Sequence, residues 1–379
     1  MHPAPAHTWI ASPNALAPLE AALMSATEVA LDTESNSMFA YRERLCLVQL
    51  ATLAPGREPE LFLVDPLAFA TASEALAPLA GWLADPAHRV LIHGGEYDVA
   101  IMKRELGFGP TNLFDTQAAA ALIGIEKTGF GALVEAFCGV TLPKSHQQHD
   151  WKRRPVPADA LAYAVADVHY LVPLAKAIEA IVKDADIEEE VALACLAVAE
   201  ARAHAPRDPD QAFWRVLGGA RPGAEAMSML VALVAWREAV AEARDVPPAR
   251  LVPNESLLRV AERAPSSASD LGGLGLPKDI VRQPEALLAA IEKARAEPPP
   301  SPARPPRPRV DPAIAAREKR LKQWREDEAR QRGAPLQLVL PARALDHLAT
   351  LGEAGLESAP QLGPKRLARY GDALRRLLR

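Results

Sequence analysis

The chain has 379 residues with 43 Lys and Arg against 48 Asp and Glu, a net charge of −5, and this length suits three small domains. No stretch approaches the roughly 20 apolar residues of a membrane span, and the N-terminus, MHPAPAHTWIASPNALAPLE, lacks the charged start and apolar core of a secretory leader. Three cysteines, Cys46, Cys138 and Cys195, lie scattered in apolar contexts without metal-ligand spacing, so a disulfide scaffold is excluded and a reduced, cytoplasmic setting is expected.

The first strand is expected over 29–32, in EVALDTES. Residues two apart on a strand share a face, so Asp32 and Glu34 can point into one cleft. Hard cations such as Mg2+ take oxygen ligands and keep several waters, so few protein carboxylates suffice. An isolated Asp-x-Glu pair is weakly diagnostic, since most are solvated or ion-paired. Strands are expected at 45–50, 61–64 and 90–93, the first without alternation, as suits a central strand covered on both faces. Asp98 follows the turn His93-Gly94-Gly95 and opens an amphipathic helix with Val99, Ile101, Met102 and Leu106; alone it also reads as an acid favoured by the helix dipole. The segment NLFDTQAAAALIG reads as helix, with Gln117 bonding backbone rather than substrate.

Lys144, Trp151, Lys152, Arg153 and Arg154 then form a basic, aromatic segment suited to phosphates and stacked bases, or else a surface loop whose Trp packs inward. His146 and His149 lack a third nearby ligand and read as solvated. Tyr163 and Asp167, in LAYAVADVHYL, are four apart and project from one side of a helix. His93 and His169 are expected to be structural neighbours of the acids.

These motifs, in this order and in these settings, resemble the catalytic domain of ribonuclease D, a family of the DEDD superfamily of 3′–5′ exonucleases. RLCLVQLA is similar to the family's second strand, and LPKSHQQHDWKRRPVPADALAYAVADVHYL to its approach to the third motif. Ala162 and Tyr163 stand where the superfamily divides, and place the chain in the tyrosine branch. His149 departs from the family pattern, which has a small hydroxyl residue there. The resemblance implies an α/β ribonuclease H-like fold with a mixed sheet. It also implies two Mg2+ or Mn2+ ions held by Asp32, Glu34, Asp98 and Asp167, with Tyr163 orienting the attacking water. The implied products are nucleoside 5′-monophosphates released from a 3′ end, and the implied partner is RNA with a free 3′ end, precursor tRNA foremost, with no membrane and no obligate protein partner.

A hinge is expected near 205–212, at Pro206 and Pro209. Beyond it Trp236, Pro253, Leu257, Leu274 and Gly275 recur as Trp324, Pro341, Leu345, Leu362 and Gly363, each 88 positions on. The first copy resembles the all-α HRDC module, and the second is a more divergent HRDC-like unit. Between them EPPPSPARPPRPR holds seven of the 35 prolines, an extended linker. The domains expected are thus an exonuclease at 1–205, an HRDC domain at 212–296, a linker at 297–310 and a second HRDC-like domain at 311–379. Residues 311–379 carry fourteen Lys or Arg against nine Asp or Glu. With an acidic nuclease half attached, that tail, with Lys365, Arg366 and Arg369, is expected to contact RNA, and the first module to pack on the nuclease instead. Two other readings compete: a DNA exonuclease of the same superfamily, and a catalytically inactive RNA-binding adaptor.

Overall fold

The computed structural model describes residues 5–143, 148–203, 205, 208–300 and 311–379. Lys144, His146, Pro206 and the linker at 301–310 lie outside the described residues. Six strands form one sheet in the order β1-β4-β3-β2-β5-β6. They are β1 (Thr8–Ile10), β2 (Glu28–Ser35), β3 (Leu45–Leu53), β4 (Glu60–Val64), β5 (Arg89–Ile92) and β6 (Leu113–Asp115). The β2–β3–β4 meander is antiparallel, and β1, β5 and β6 join parallel to their neighbours, so the sheet is mixed.

Eight consecutive residues of β3, Leu45 to Thr52, are buried. The unalternated sequence there has its cause in helices on one face and further core on the other. Two strands differ from the sequence reading. β1 has only Trp9 and Ile10 as apolar signal, too short for periodicity to register. β6 opens the segment expected to be helix throughout: Leu113–Asp115 pairs with β5, and the helix begins at Thr116. Its terminus is set by Asp115, whose Oδ1 accepts from the backbone N–H groups of Gln117 and Ala118 at 2.8 and 3.0 Å.

The chain forms two compact units, one of Met1–Ser35, Leu45–His204 and Pro308–Arg379, the other of Asn36–Arg44 and Ala205–Arg307. In the second unit the Ala224–Arg244, Asn254–Arg263 and Glu285–Ala296 helices close over Leu230, Leu233, Val252 and Leu257, all fully buried. Arg237 is buried beside them and donates to Val252 O and Asn254 Oδ1 at 2.9 and 2.8 Å. The 88-residue repeat extends to the helix ends. Ala224–Arg244, Pro248–Leu251 and Asn254–Arg263 recur as Pro312–Arg332, Leu336–Val339 and Ala342–Leu351.

The basic C-terminal module therefore has its own core, around Leu321, Leu340, Leu348 and Leu374, yet belongs to the nuclease's unit. Leu338 packs against the nuclease core. The backbone N–H of Lys365 donates to Glu189 Oε1 at 2.9 Å, and its Nζ to Asp186 O and Oδ1 at 2.7 and 2.6 Å. Gly363, at φ +63°, sits where a Cβ would collide with Glu189 and Leu193, so only glycine permits this approach. Exposed ion pairs contribute at most about 1 kcal/mol each, so the apolar contact and the close backbone approach hold the module down.

Candidate active site

β2 carries Asp32, Thr33 and Glu34 near its C-terminal end, and the 27-residue Ala158–Asp184 helix runs past it. Carboxylate oxygens of Asp32, Glu34 and Asp167 lie within 4.8 Å of one another. Asp98 joins them from the first turn of the Glu96–Leu106 helix, with Thr33 Oγ1 donating to its Oδ1 at 2.5 Å. The turn feeding that helix is pinned by Asp115, whose two oxygens accept from Gly94 N and Gly95 N at 3.0 and 2.8 Å. Both glycines are required: Gly94 has φ +63°, and a Cβ at Gly95 would strike the Ile92 side chain.

Crowding four carboxylates together, Asp98 and Asp167 buried and Asp32 and Glu34 half-buried, raises the cost of ionising each. Burial, then the charges of Asp98, Asp167 and Glu34, hold Asp32 well above the ordinary carboxylate range. Burial with Asp167 and Asp98 pushes Glu34 to about 9. Asp167 is pushed by burial to about 8, against the hydrogen bond that Tyr163 donates to it. Asp98 rises less, to about 6, because burial is opposed by the Thr33 hydroxyl and by backbone N–H groups. Such a set of oxygen donors is unfavourable by itself and is relieved by a hard divalent cation, so the residues fit a metal of the Mg2+ type.

Tyr163 is lifted still further from the phenol range, by burial first and then by Asp167, Glu34 and Asp32. Both causes favour the protonated, hydrogen-bond-donating phenol, which suits a positioning role. Behind it lies Trp151, only 1% exposed, its ring 6.3 Å from that of Tyr163. Trp151 is thus a buttress, and the expectation that it stacks on a base is corrected: no face of the ring is open. Arg154 is likewise structural, its guanidinium clamped by Asp65 at 2.6 and 2.7 Å and donating to Cys46 O and Trp151 O at 2.8 and 2.6 Å. Arg366 is corrected too. It is 2% exposed and donates to Leu338 O, Gln361 O and Gln337 O inside the C-terminal module. Lys365 is occupied by Asp186 and Glu189. Arg153 and Arg369 remain exposed, Arg153 leaning on Asp150 at 3.3 Å.

A cleft of about 560 Å3 opens beside the acids, lined by Asp32, Tyr163, Asp167, Lys127, Phe130 and His93. His93 Nδ1 meets Thr116 Oγ1 at 2.9 Å, and that hydroxyl itself donates to Ile92 O at 3.2 Å. The hydroxyl's single proton is thereby used, so Nδ1 carries the imidazole proton. Burial holds the ring below its ordinary value, hence neutral. Sequence reasoning missed Thr33, Thr116 and Asp115. The only local signal was a hydroxyl or acid beside each strand end, which is common in any protein.

The fold and site define a 3′–5′ exonuclease carrying HRDC modules. A family model described as 3'-5' exonuclease matches residues 7–183, and one for the HRDC domain matches 227–291 and 315–378. Ribonuclease D of Granulibacter bethesdensis is 32% identical over 301 residues, 78% of this chain and 73% of that protein. Ribonuclease D of Escherichia coli is 32% identical over 294 residues, 77% of this chain and 76% of that protein. The crystal structure of Escherichia coli RNase D superposes with a TM-score of 0.67 at 28% identity, covering 98% of both chains. The chain belongs to the ribonuclease D family. Its activity is accordingly that of a hydrolase, a 3′–5′ exoribonuclease, and of a metal-dependent family. Among the described residues no helix is long and apolar enough to cross a membrane.

Proposed function

We propose that the protein trims the 3′ ends of structured precursor RNAs, precursor tRNA foremost, in the cytoplasm, with two Mg2+ or Mn2+ ions at Asp32, Glu34, Asp98 and Asp167. The observation carrying this reading is the approach of three carboxylates within 4.8 Å, with Asp98 tied in through Thr33. Held there, divalent ions supply Lewis acidity at the attacking and leaving oxygens of an in-line displacement. The chain's own groups do the rest.

Asp167 accepts a hydrogen bond from the Tyr163 hydroxyl, which fixes the phenol oxygen beside the acids, where it would receive a hydrogen bond from the attacking water. Trp151 fixes the ring that carries this oxygen. Water adds to phosphorus, the 3′-terminal nucleoside 5′-monophosphate is released, and the shortened chain keeps a 3′ hydroxyl. Lys127, lining the cleft, and the exposed Arg153 provide positive charge for the phosphates that follow. The relative in Escherichia coli is described as an exoribonuclease involved in structured RNA processing, which supports the substrate class.

The test is a 5′-labelled precursor tRNA with a 3′ extension beside a matched single-stranded DNA, with Mg2+, Mn2+ or chelator. Metal-dependent shortening of the RNA by single nucleotides is expected. Preferred shortening of the DNA would favour a repair-type exonuclease, and binding without cleavage would favour an adaptor.

A further inference from the structure

A second cavity, of about 600 Å3, lies within the nuclease's unit between the end of the Ala158–Asp184 helix and the C-terminal module. Its walls combine three chemistries. Ile123, Ile181 and Leu338 form an apolar surface, and Ile181 is 38% exposed. Glu190 is 9% exposed, and its Oε2 is buried without a hydrogen-bond partner among the described residues. Arg366 and Lys365, already engaged in the protein, also line it, and two further guanidinium groups reach the rim. Arg332 is held over the Tyr370 ring at 5.7 Å and donates to the Tyr370 hydroxyl, which leaves most of its donors unused. Arg369 makes no hydrogen bond or ion pair among the described residues.

A buried acceptor without a donor costs about 1–3 kcal/mol, so the cavity is incomplete as a purely structural joint. A simple anion satisfies the arginines and is repelled by Glu190. An apolar ligand leaves Glu190 Oε2 and the Arg332 and Arg369 guanidinium groups without further hydrogen-bond partners. A nucleotide matches all three, with a flat base for the apolar wall, an N–H edge for Glu190 and a phosphate for the arginines, and the volume lies in the range of small-ligand sites. We propose that this cavity is a second RNA-contacting site, which takes one nucleotide of the substrate upstream of its 3′ end. The proposal rests on the exoribonuclease reading. It transfers the basic tail's RNA contact from Lys365 and Arg366, both engaged in the protein, to Arg332 and Arg369.

Spacing along the helix sets a length requirement. Asp167 and Ile181 are fourteen residues apart on one helix, about 21 Å at 1.5 Å per residue. At about 3.4 Å per stacked nucleotide, an RNA needs roughly six nucleotides to fill both sites.

The experiment compares kcat/KM of the full-length wild type and Arg369→Ala, metal-loaded, on RNAs of about three and about twenty nucleotides with the same 3′ end. The variant is expected to lower the ratio of long to short kcat/KM about fivefold, through KM on the long RNA. An unchanged ratio would overturn the proposal. In parallel, wild-type protein is photocrosslinked to a long RNA carrying 4-thiouridine at successive positions. Adducts in the peptides that carry Ile181, Glu190 or Arg369, from a label about six nucleotides upstream, are expected, and adducts confined to the first cleft would equally refute it. Failure of the wild type to shorten either RNA would instead strike at the exoribonuclease reading.

Discussion

Asp167→Asn should stabilise the metal-free protein while abolishing cleavage, and the gain should grow with pH. Burial holds the folded-state Asp167 at about 8 against an ordinary 3.8. A raised carboxyl gives stability that is whole below the unfolded value and is lost as pH climbs to the folded one, because across that window the folded state binds more protons. At pH 7 about three units of the window have been crossed, and at about 1.36 kcal/mol per unit the wild type has given up about 4 kcal/mol at this group. Asparagine does not titrate and still accepts the Tyr163 hydrogen bond. Urea unfolding of both proteins in chelator, at about pH 5, 7 and 8.5, reads the difference directly. The variant's advantage should rise by a few kcal/mol across this range, flatten above about pH 8, and shrink when Mg2+ is added to the wild type. An advantage that is absent, or that falls as pH rises, would refute the electrostatic account of the cluster.

Metal uptake should release protons at pH 7, because Glu34 and Asp167, pushed up to about 9 and 8, must ionise to bind; calorimetric Mg2+ titrations in buffers of different ionisation enthalpy would return the same heat if no proton left. Thr33→Val removes the hydroxyl donated to Asp98 and should lift that carboxyl above about 6 and weaken metal affinity about 10- to 100-fold, read as the Mg2+ concentration for half-maximal rate. Tyr163→Phe should lower kcat about a hundredfold with an unchanged shape of the pH–rate profile, since the phenol stays protonated; a lost alkaline or acidic limb would make it a base after all. Asp115→Asn should cost about 2–3 kcal/mol of stability, because one amide oxygen cannot serve the four backbone donors now shared by two, and thermal melts of the variant would show it.

Much of the site was legible in one dimension because metal chemistry demands acids at short, regular separations. Asp32 and Glu34 are two apart on a strand, and Tyr163 and Asp167 four apart on a helix, so each pair shares a face whatever surrounds it. The repeat was legible for a similar reason: each copy closes its own small core, and the same spacing of Trp, Pro and Leu recurs in helices with the same ends. The strand at 113–115 was not, since three apolar residues carry no period and a run of alanines follows them.

Sequence by itself determined which residues were chemically able to bind a metal and that two helical copies stand 88 positions apart. Tertiary structure decided which charges face solvent. Arg154, Arg366 and Trp151 look, in sequence, like any residues that meet RNA; burial makes struts of Arg366 and Trp151, and the clamp on Asp65 makes one of Arg154. Arg369, three residues from Arg366 on the same helix, keeps its guanidinium free. Neither fact is local: a side chain's exposure depends on what distant chain is packed over it, and the C-terminal module meets the nuclease more than a hundred residues along the chain.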